Sequence, residues 1–400
     1  MNVGTCLNVI CYGYNPWSDM WKRNQTMVRM MTDLPFVSKT LFVNPDVFLS
    51  DLARRPAVEM SAFRRNYWRY VIPKDVRADI RVVTPLRLPL NERVFWLKRF
   101  GDILTLRAVR PYTSKPFLLL INRLVPLPNA IFESLFHTAQ YRVFDWSDDF
   151  ETFCSSENER ANLARVREKY LRECDLVLTV NDSLTKRARD VADNVYTIRN
   201  ATDFDSMNRA DQPATPVAES IKRIPKPIIG YMGYLNSDRL DLELIEFIVR
   251  AKPQWQFVFI GPHSHKDPLG SEIPAMDNVH ILPAVPYDRL PTYLKGFDVC
   301  VIPNRINEHT RGNDPIKLFD YLATGRPIVS TATAGTEQFR DVIAIAGSAE
   351  EFLALVEDAL YNDDTEKKRA RIERARENSW DARFRQPFRL IEERFADRRF

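Results

Sequence analysis

A chain of 400 residues is longer than one ordinary hydrophobic core supports and suits two α/β bodies. Hydrophobic residues make up 45%, which excludes a globally disordered chain, and a net charge of +4 excludes a coat for nucleic acid while leaving room for a local basic patch. Cys6, Cys11, Cys154, Cys174 and Cys300 show no zinc-ligand spacing, and most sit in apolar runs, the usage expected in a reducing cytoplasm.

Met1–Tyr14 reads as the start of a strand, without the basic opening and small-residue cleavage site of a signal peptide. No apolar run reaches the ~20 residues that span a bilayer. In chain order, Cys6–Tyr12 is predicted as a buried strand, Met20–Met31 as a helix and Lys39–Val43 as a strand. Strands follow at Ile80–Thr84, Phe117–Ile121 and Tyr141–Asp145. Then come a polar helix over Glu157–Cys174, a strand at Asp175–Val180, a helix at Ser183–Val191 and a strand at Val195–Ile198.

Asp203–Pro227 is polar and carries Pro213, Pro216, Pro225 and Pro227, which suits a linker. The alternation restarts with strands predicted at Pro227–Met232, Gln256–Ile260, Val279–Leu282, Asp298–Pro303 and Pro327–Thr331. Helices are predicted at Leu240–Ala251, Leu290–Lys295, Pro315–Ala323 and Ala349–Tyr361, before two charged helices. The fold class expected is α/β, with two Rossmann-like domains facing each other across a cleft. The expected domains are 1–204 with the terminal helix 380–400, a linker at 205–225, and 226–379.

Three segments of the second half carry chemistry. Ile228–Asp241 (IIGYMGYLNSDRLD) ends a strand at Gly230 and Gly233, and a helix is expected from near Arg239. Glycine lets backbone approach a ligand, and helix N-termini favour phosphate. An ordinary strand–turn–helix with a solvent-facing arginine fits the same residues. Phe257–Pro262 (FVFIGP) places Gly261 at another strand end. Asn313–Val329 (NDPIKLFDYLATGRPIV) sets Pro315 and Lys317 in a first helical turn, with Asp320 one turn on. Asp320 can accept the two hydroxyls of a ribose, or be a solvated residue paired with Lys317.

Taken together, these segments resemble the donor-binding half of the group 1 bacterial glycosyltransferases with the GT-B fold. That family carries a G-Y-x-G strand, an I-G-P strand end and a P-x-K-x-x-E-Y-x-A-x-G-x-P block. Pro315, Lys317, Asp320, Tyr321, Ala323, Gly325 and Pro327 match the block. Upstream, Val177–Asp203, Tyr141–Phe150 (YRVFDWSDDF) and Asn15–Gln25 (NPWSDMWKRNQ) are similar to further family elements. The family's E-x7-E pair is incomplete: its second acid is Asp320 and the first position is Gly312, with Thr310, Arg311 and Asn313 beside it. The P-N-G-x-D loop reads Arg199-Asn-Ala-Thr-Asp203.

The resemblance implies a glycosyltransferase that moves a sugar from a nucleotide-sugar donor, UDP or GDP most readily, to a glycan or lipid-linked acceptor. Cell-surface polysaccharide assembly, retention at the anomeric carbon and independence of metals and bound cofactors are implied as well. Donor-site expectations are Gly230, Gly233, Arg239, Gly261, Asn313, Pro315, Lys317 and Asp320. Lys317 and Arg239 would stabilise the departing diphosphate. Asp145, Asp148 and Asp149 follow a buried strand and are candidates to orient or deprotonate the acceptor, or simply to cap the next helix. Trp17, Trp21, Arg23 and His137 are expected on the acceptor side.

Arg54–Lys115 is basic and aromatic, which fits either an anionic membrane face or a solvated surface. No nucleic-acid recognition motif accompanies it. A cytoplasmic place, with contact at the inner membrane face, follows from these expectations. The helix led by Trp380 is expected to pack on the first domain. A nucleotide-sugar epimerase and a non-catalytic membrane or scaffold protein of this architecture also remain compatible with the residues.

Overall fold

A computed structural model describes residues 6–18, 22–48, 66–87, 95–126, 129–154, 156–263, 269–270, 272–306 and 314–396. The chain divides into two compact units, Met1–Ile198 with Gln386–Phe400, and Arg199–Arg385.

The first unit is built on β1 (Leu7–Tyr12), β2 (Val37–Val43), β3 (Val47–Phe48), β4 (Lys74–Arg77), β5 (Ile80–Val83) and β6 (Leu86–Arg87). It continues through β7 (Phe117–Ile121), β8 (Tyr141–Trp146), β9 (Leu176–Thr179) and β10 (Val195–Thr197). The main sheet has the order β10-β9-β8-β7-β1-β2-β5-β4, and β3 pairs with β6 in a separate ribbon. All its pairings are parallel except β4 with β5. Runs such as LNVICY and FLLLI are buried throughout, as strands of a parallel sheet covered on both faces must be. The last helix, Trp380–Ala396, passes into this unit from Gln386 on. There Phe395 stacks on Phe36 and meets Tyr141 edge-on, at centroid distances of 6.2 and 5.8 Å.

The second unit holds β11 (Ile228–Met232), β12 (Gln256–Ile260), β13 (Val279–Leu282), β14 (Val299–Ile302), β15 (Ile328–Thr331) and β16 (Ala344–Ala346). Its order, β13-β12-β11-β14-β15-β16, is the doubly wound Rossmann arrangement, parallel in every pairing. The strand order reverses between β11 and β14, and the crevice outside their carboxyl ends is where such sheets take ligands.

The segment expected as a linker is folded instead. Helices Phe204–Asn208 and Glu219–Lys222 send Met207 and Ile221 into the core of the second unit, beside Phe297 and Phe319. Thr202 also bridges to Ser379, so the two ends of this unit run side by side.

Gly230, expected as a ligand contact, is a packing residue: a Cβ there would run into the Phe297 ring. Gly230→Ala is therefore expected to lower stability by about 1–3 kcal/mol. Trimming the ring in Gly230→Ala/Phe297→Leu should recover part of the loss, read from urea midpoints.

Candidate functional site

At the switch point of the second unit, β11 and β12 end in two glycines held at positive φ, Gly233 at 152° and Gly261 at 155°. The Gly233 amide donates to the Ile260 carbonyl at 2.9 Å. A Cβ on Gly261 would overlap the Gly233 carbonyl, so the strand ends approach this closely only because Gly261 lacks a side chain. The following loop is pinned by bridges from Leu235 to His263 and from Leu240 to Asn304. Its helix starts at Leu242, later than expected, with the Asp241 side chain accepting from the Leu244 amide. Arg239 thus lies on the loop, exposed, its carbonyl accepting from the Arg305 amide at 2.8 Å.

Lys317 reaches the same place from the helix Ile316–Thr324, whose N-cap is Pro315. Its ammonium donates to Tyr231 Oη at 2.7 Å and sits 4.4 Å from the centre of that ring. A Cβ on Gly233 would come within 2.7 Å of Tyr231 Oη and 2.8 Å of Lys317 Nζ, so the missing side chain leaves room for the pair. Desolvation first, and Arg239 second, pull the Lys317 pKa down to about 7. Burial pushes the Tyr231 hydroxyl up. Neither Lys317 nor Arg239 makes an ion pair among the described residues. Two cations, a helix N-terminus and a bare strand end form a place for an anion. Asn313 lies outside the described residues.

Asp320 is placed differently from its expected ribose role. It is buried, and its Oδ1 accepts from Thr202 Oγ1 and Tyr287 Oη, both at 2.8 Å. Burial raises its pKa to about 7, against the lowering effect of the two hydroxyls. Nearby, the Asn200 amide donates to Asp314 Oδ2 at 3.0 Å, and Asn200 Nδ2 donates to the Asp314 carbonyl at 2.8 Å. The carboxylate therefore ties the Lys317 helix to the segment that opens this unit. Sequence spacing does not reveal Thr202 and Tyr287 as partners of Asp320, or Tyr231 as the partner of Lys317, although Tyr231 stands inside the G-Y-x-G pattern.

In the first unit the expected acceptor-side residues separate. Arg23 and Asp145 form a buried ion pair at 2.7 Å, with side chains 7% and 1% exposed. Asn122 Nδ2 donates to Asp145 Oδ2 at 2.8 Å, and Arg23 Nη1 donates to the Ile198 carbonyl at 2.6 Å. Arg23 and Asp145 satisfy each other, which argues against Arg23 as a phosphate contact and Asp145 as a base. Asp148 accepts from the Asp149 amide, and Asp149 pairs with Arg187 at 2.7 Å. The Arg187 guanidinium in turn lies 4.8 Å from the Trp146 ring.

Trp17 follows β1, donating its amide to Asn44 Oδ1 at 2.8 Å and meeting Phe42 edge-on. Trp21 lies outside the described residues. His137 is exposed at the C-terminal end of the helix Ala130–Thr138. That helix leads into β8, so His137 stands at the amino ends of the strands, away from Asp145. In the basic stretch, Arg54, Arg55, Arg64, Arg65 and Arg93 lie outside the described residues. Arg77 is neutralised by Asp79 and Asp33, and Arg81 by Asp75.

Arg23→Met should cost about 3–5 kcal/mol by leaving a buried carboxylate uncompensated, and Asp145→Asn in the same chain should restore much of it, measured by chemical denaturation. Asp320→Ala removes the acceptor of two buried hydroxyls and should cost about 1–3 kcal/mol. A buried lysine with a lowered pKa destabilises the fold fully at and below pH 7, and less as pH rises toward its ordinary value near 10. Lys317→Met should therefore raise the melting temperature most at pH 6–7 and lose that advantage toward pH 10.

Residues 226–362 match the family model described as glycosyl transferases group 1. The chain is 25% identical over 264 residues to the putative teichuronic acid biosynthesis glycosyltransferase TuaH of Bacillus subtilis (strain 168). That match takes in 61% of this chain and spans 65% of the length of that relative. Among solved structures, sucrose-phosphate synthase from Thermosynechococcus elongatus is similar with a TM-score of 0.67 and 14% identity, over 98% of this chain and 100% of that one. HepE of Anabaena, solved in complex with UDP-glucose, gives 0.62 and 12% over 97% and 100%. At such identities the structures speak for the fold, which is that of the GT-B proteins, and the match to the group 1 glycosyl transferases is carried by residues 226–362.

Proposed function

We propose that the chain transfers a sugar from a nucleotide-sugar donor whose diphosphate is held in the second unit by Lys317, Arg239 and the N-terminus of the Ile316–Thr324 helix. The observation that carries this is Lys317 beside Gly233, its ammonium drawn toward neutrality by burial first and by the Arg239 guanidinium second. A diphosphate arriving there supplies an opposing charge and draws Lys317 back to its ammonium form. As the anomeric bond breaks, negative charge grows on the departing diphosphate, and cations already in place stabilise it without reorganising. Retention at the anomeric carbon, and a reaction without bound metal, are what the family likeness implies.

The relative TuaH is named for teichuronic acid biosynthesis, and HepE was solved with UDP-glucose. The first supports a cell-surface polysaccharide as product, and the second a uridine nucleotide as donor. Asp148 and Asp149 remain the acceptor-side candidates. No helix among the described residues is long and apolar enough to cross a membrane. Work at the inner face of the membrane on a lipid-linked acceptor fits the remaining arginines of the basic stretch.

UDP, GDP, ADP and dTDP, with their common sugars, are to be compared by thermal shift. One family of nucleotides should raise the melting temperature by several degrees at saturating concentration. Lys317→Met should abolish the shift. If no nucleotide stabilises the chain, the donor reading fails. Release of an isomerised donor without any acceptor would replace transfer by epimerisation.

A further inference from the structure

We propose that Tyr231 is a positioning residue for donor binding: its ring and hydroxyl hold the Lys317 side chain at the end of β11, where the diphosphate arrives. The inference rests on the donor reading above and assigns Tyr231 no contact with the sugar or base. Three independent features meet at this residue. Tyr231 is buried, 1% exposed, so its ring is fixed by the surrounding core. Its hydroxyl accepts from the ammonium at 2.7 Å, and the ammonium sits 4.4 Å from the ring centre, at the oxygen end. Gly233, two residues on, has the one side chain size that leaves both atoms in place.

A lysine stem has several rotors, and an ammonium free to sweep them would lose much of its affinity for a diphosphate to ordering entropy. A cation hydrogen-bonded to the oxygen of a ring fixed in the core is ordered before the ligand comes. The hydroxyl also turns toward the Tyr234 carbonyl at 3.4 Å, which aims its lone pairs at Lys317. The groups around the ammonium are few. Arg239 repels it from the loop. Asp320 lies one turn along the same helix, engaged by Thr202 and Tyr287. The Tyr321 hydroxyl is engaged by the Met232 amide at 2.6 Å. No carboxylate competes with Tyr231 for Lys317 among the described residues.

The test is a double-mutant cycle on Tyr231→Phe and Lys317→Met, read by calorimetric titration with the nucleoside diphosphate that gives the largest thermal shift. Titrations run at pH 8 in two buffers of different ionisation enthalpy, so that protons taken up on binding are counted. The wild-type chain should take up protons, because Lys317 gains its charge as the diphosphate binds, and Lys317→Met should abolish the uptake. Tyr231→Phe should weaken binding about five- to twentyfold with the fold intact by circular dichroism. In the Lys317→Met background it should weaken binding no further.

If Lys317→Met leaves affinity and proton uptake unchanged, the donor reading itself falls. If Lys317→Met weakens binding while Tyr231→Phe does not, the site stands and the role of Tyr231 falls. Additive losses in the double variant also overturn it, since Tyr231 would then act on something other than Lys317. Should Tyr231→Phe misfold, Gly233→Ala asks the same question. Its Cβ displaces the pair, and its loss of affinity must likewise vanish in the Lys317→Met background.

Discussion

The second unit is organised around an ammonium drawn partly out of water, with a guanidinium rather than a carboxylate as its charged neighbour. Such a group raises the energy of the free protein, because desolvation and a neighbouring guanidinium oppose its charge. The cost falls on the free state and is relieved when an anion arrives. On the proposed donor reading, the same arrangement weakens the resting fold slightly and strengthens its grip on a polyanion. The geometry around it serves that end. Positive-φ glycines bring two strand ends together, Lys317 reaches them from the first turn of its helix, and the Tyr231 hydroxyl keeps the cation in place.

Much of this was legible from residue order alone. Apolar runs such as Phe117–Ile121 and Gln256–Ile260 announce buried parallel strands, and both appear with those bounds. Gly233, Lys317 and Arg239 stand in a pattern with a physical reason for each residue, and the structure brings them together. Other features depend on partners far along the chain. Asp320 looks like a helix residue one turn from Lys317, and nothing local reveals that Thr202, from the start of the unit, takes its oxygen. The segment at 205–225 is rich in proline and polar residues, yet Met207 and Ile221 are enough to anchor it in a core. The helix Phe95–Thr113 was masked by Gly101 and Pro111, which weaken any helical signal, and by its many basic residues.

The first unit shows how the same residue types can serve architecture. Arg23 and Asp145 sit beside the point where its strand order turns, between β1 and β7, a place where ligands are expected. They nevertheless close on each other, with Asn122 and Cys11 completing the cluster, Cys11 Sγ donating to Asn122 Oδ1 at 3.0 Å. Opposite charges at a sheet end suit a ligand only when something prevents them from meeting. In the second unit, no acid pairs with Lys317 among the described residues. In the first, no such separation exists, and Asp148 and Asp149 are left nearer the surface.

The bridge between Thr202 and Ser379 has a consequence for how the chain is made. Residues 199–385 enter and leave through adjacent, hydrogen-bonded segments, so they form a body that can close on itself. The other body is interrupted. Its sheet emerges from the ribosome early, but Phe36 and Tyr141 wait for Phe395 to cover them. Until the whole intervening body has been translated, an aromatic patch on the nascent sheet stays open to chaperones. The order of synthesis thus completes the second unit before the first is sealed.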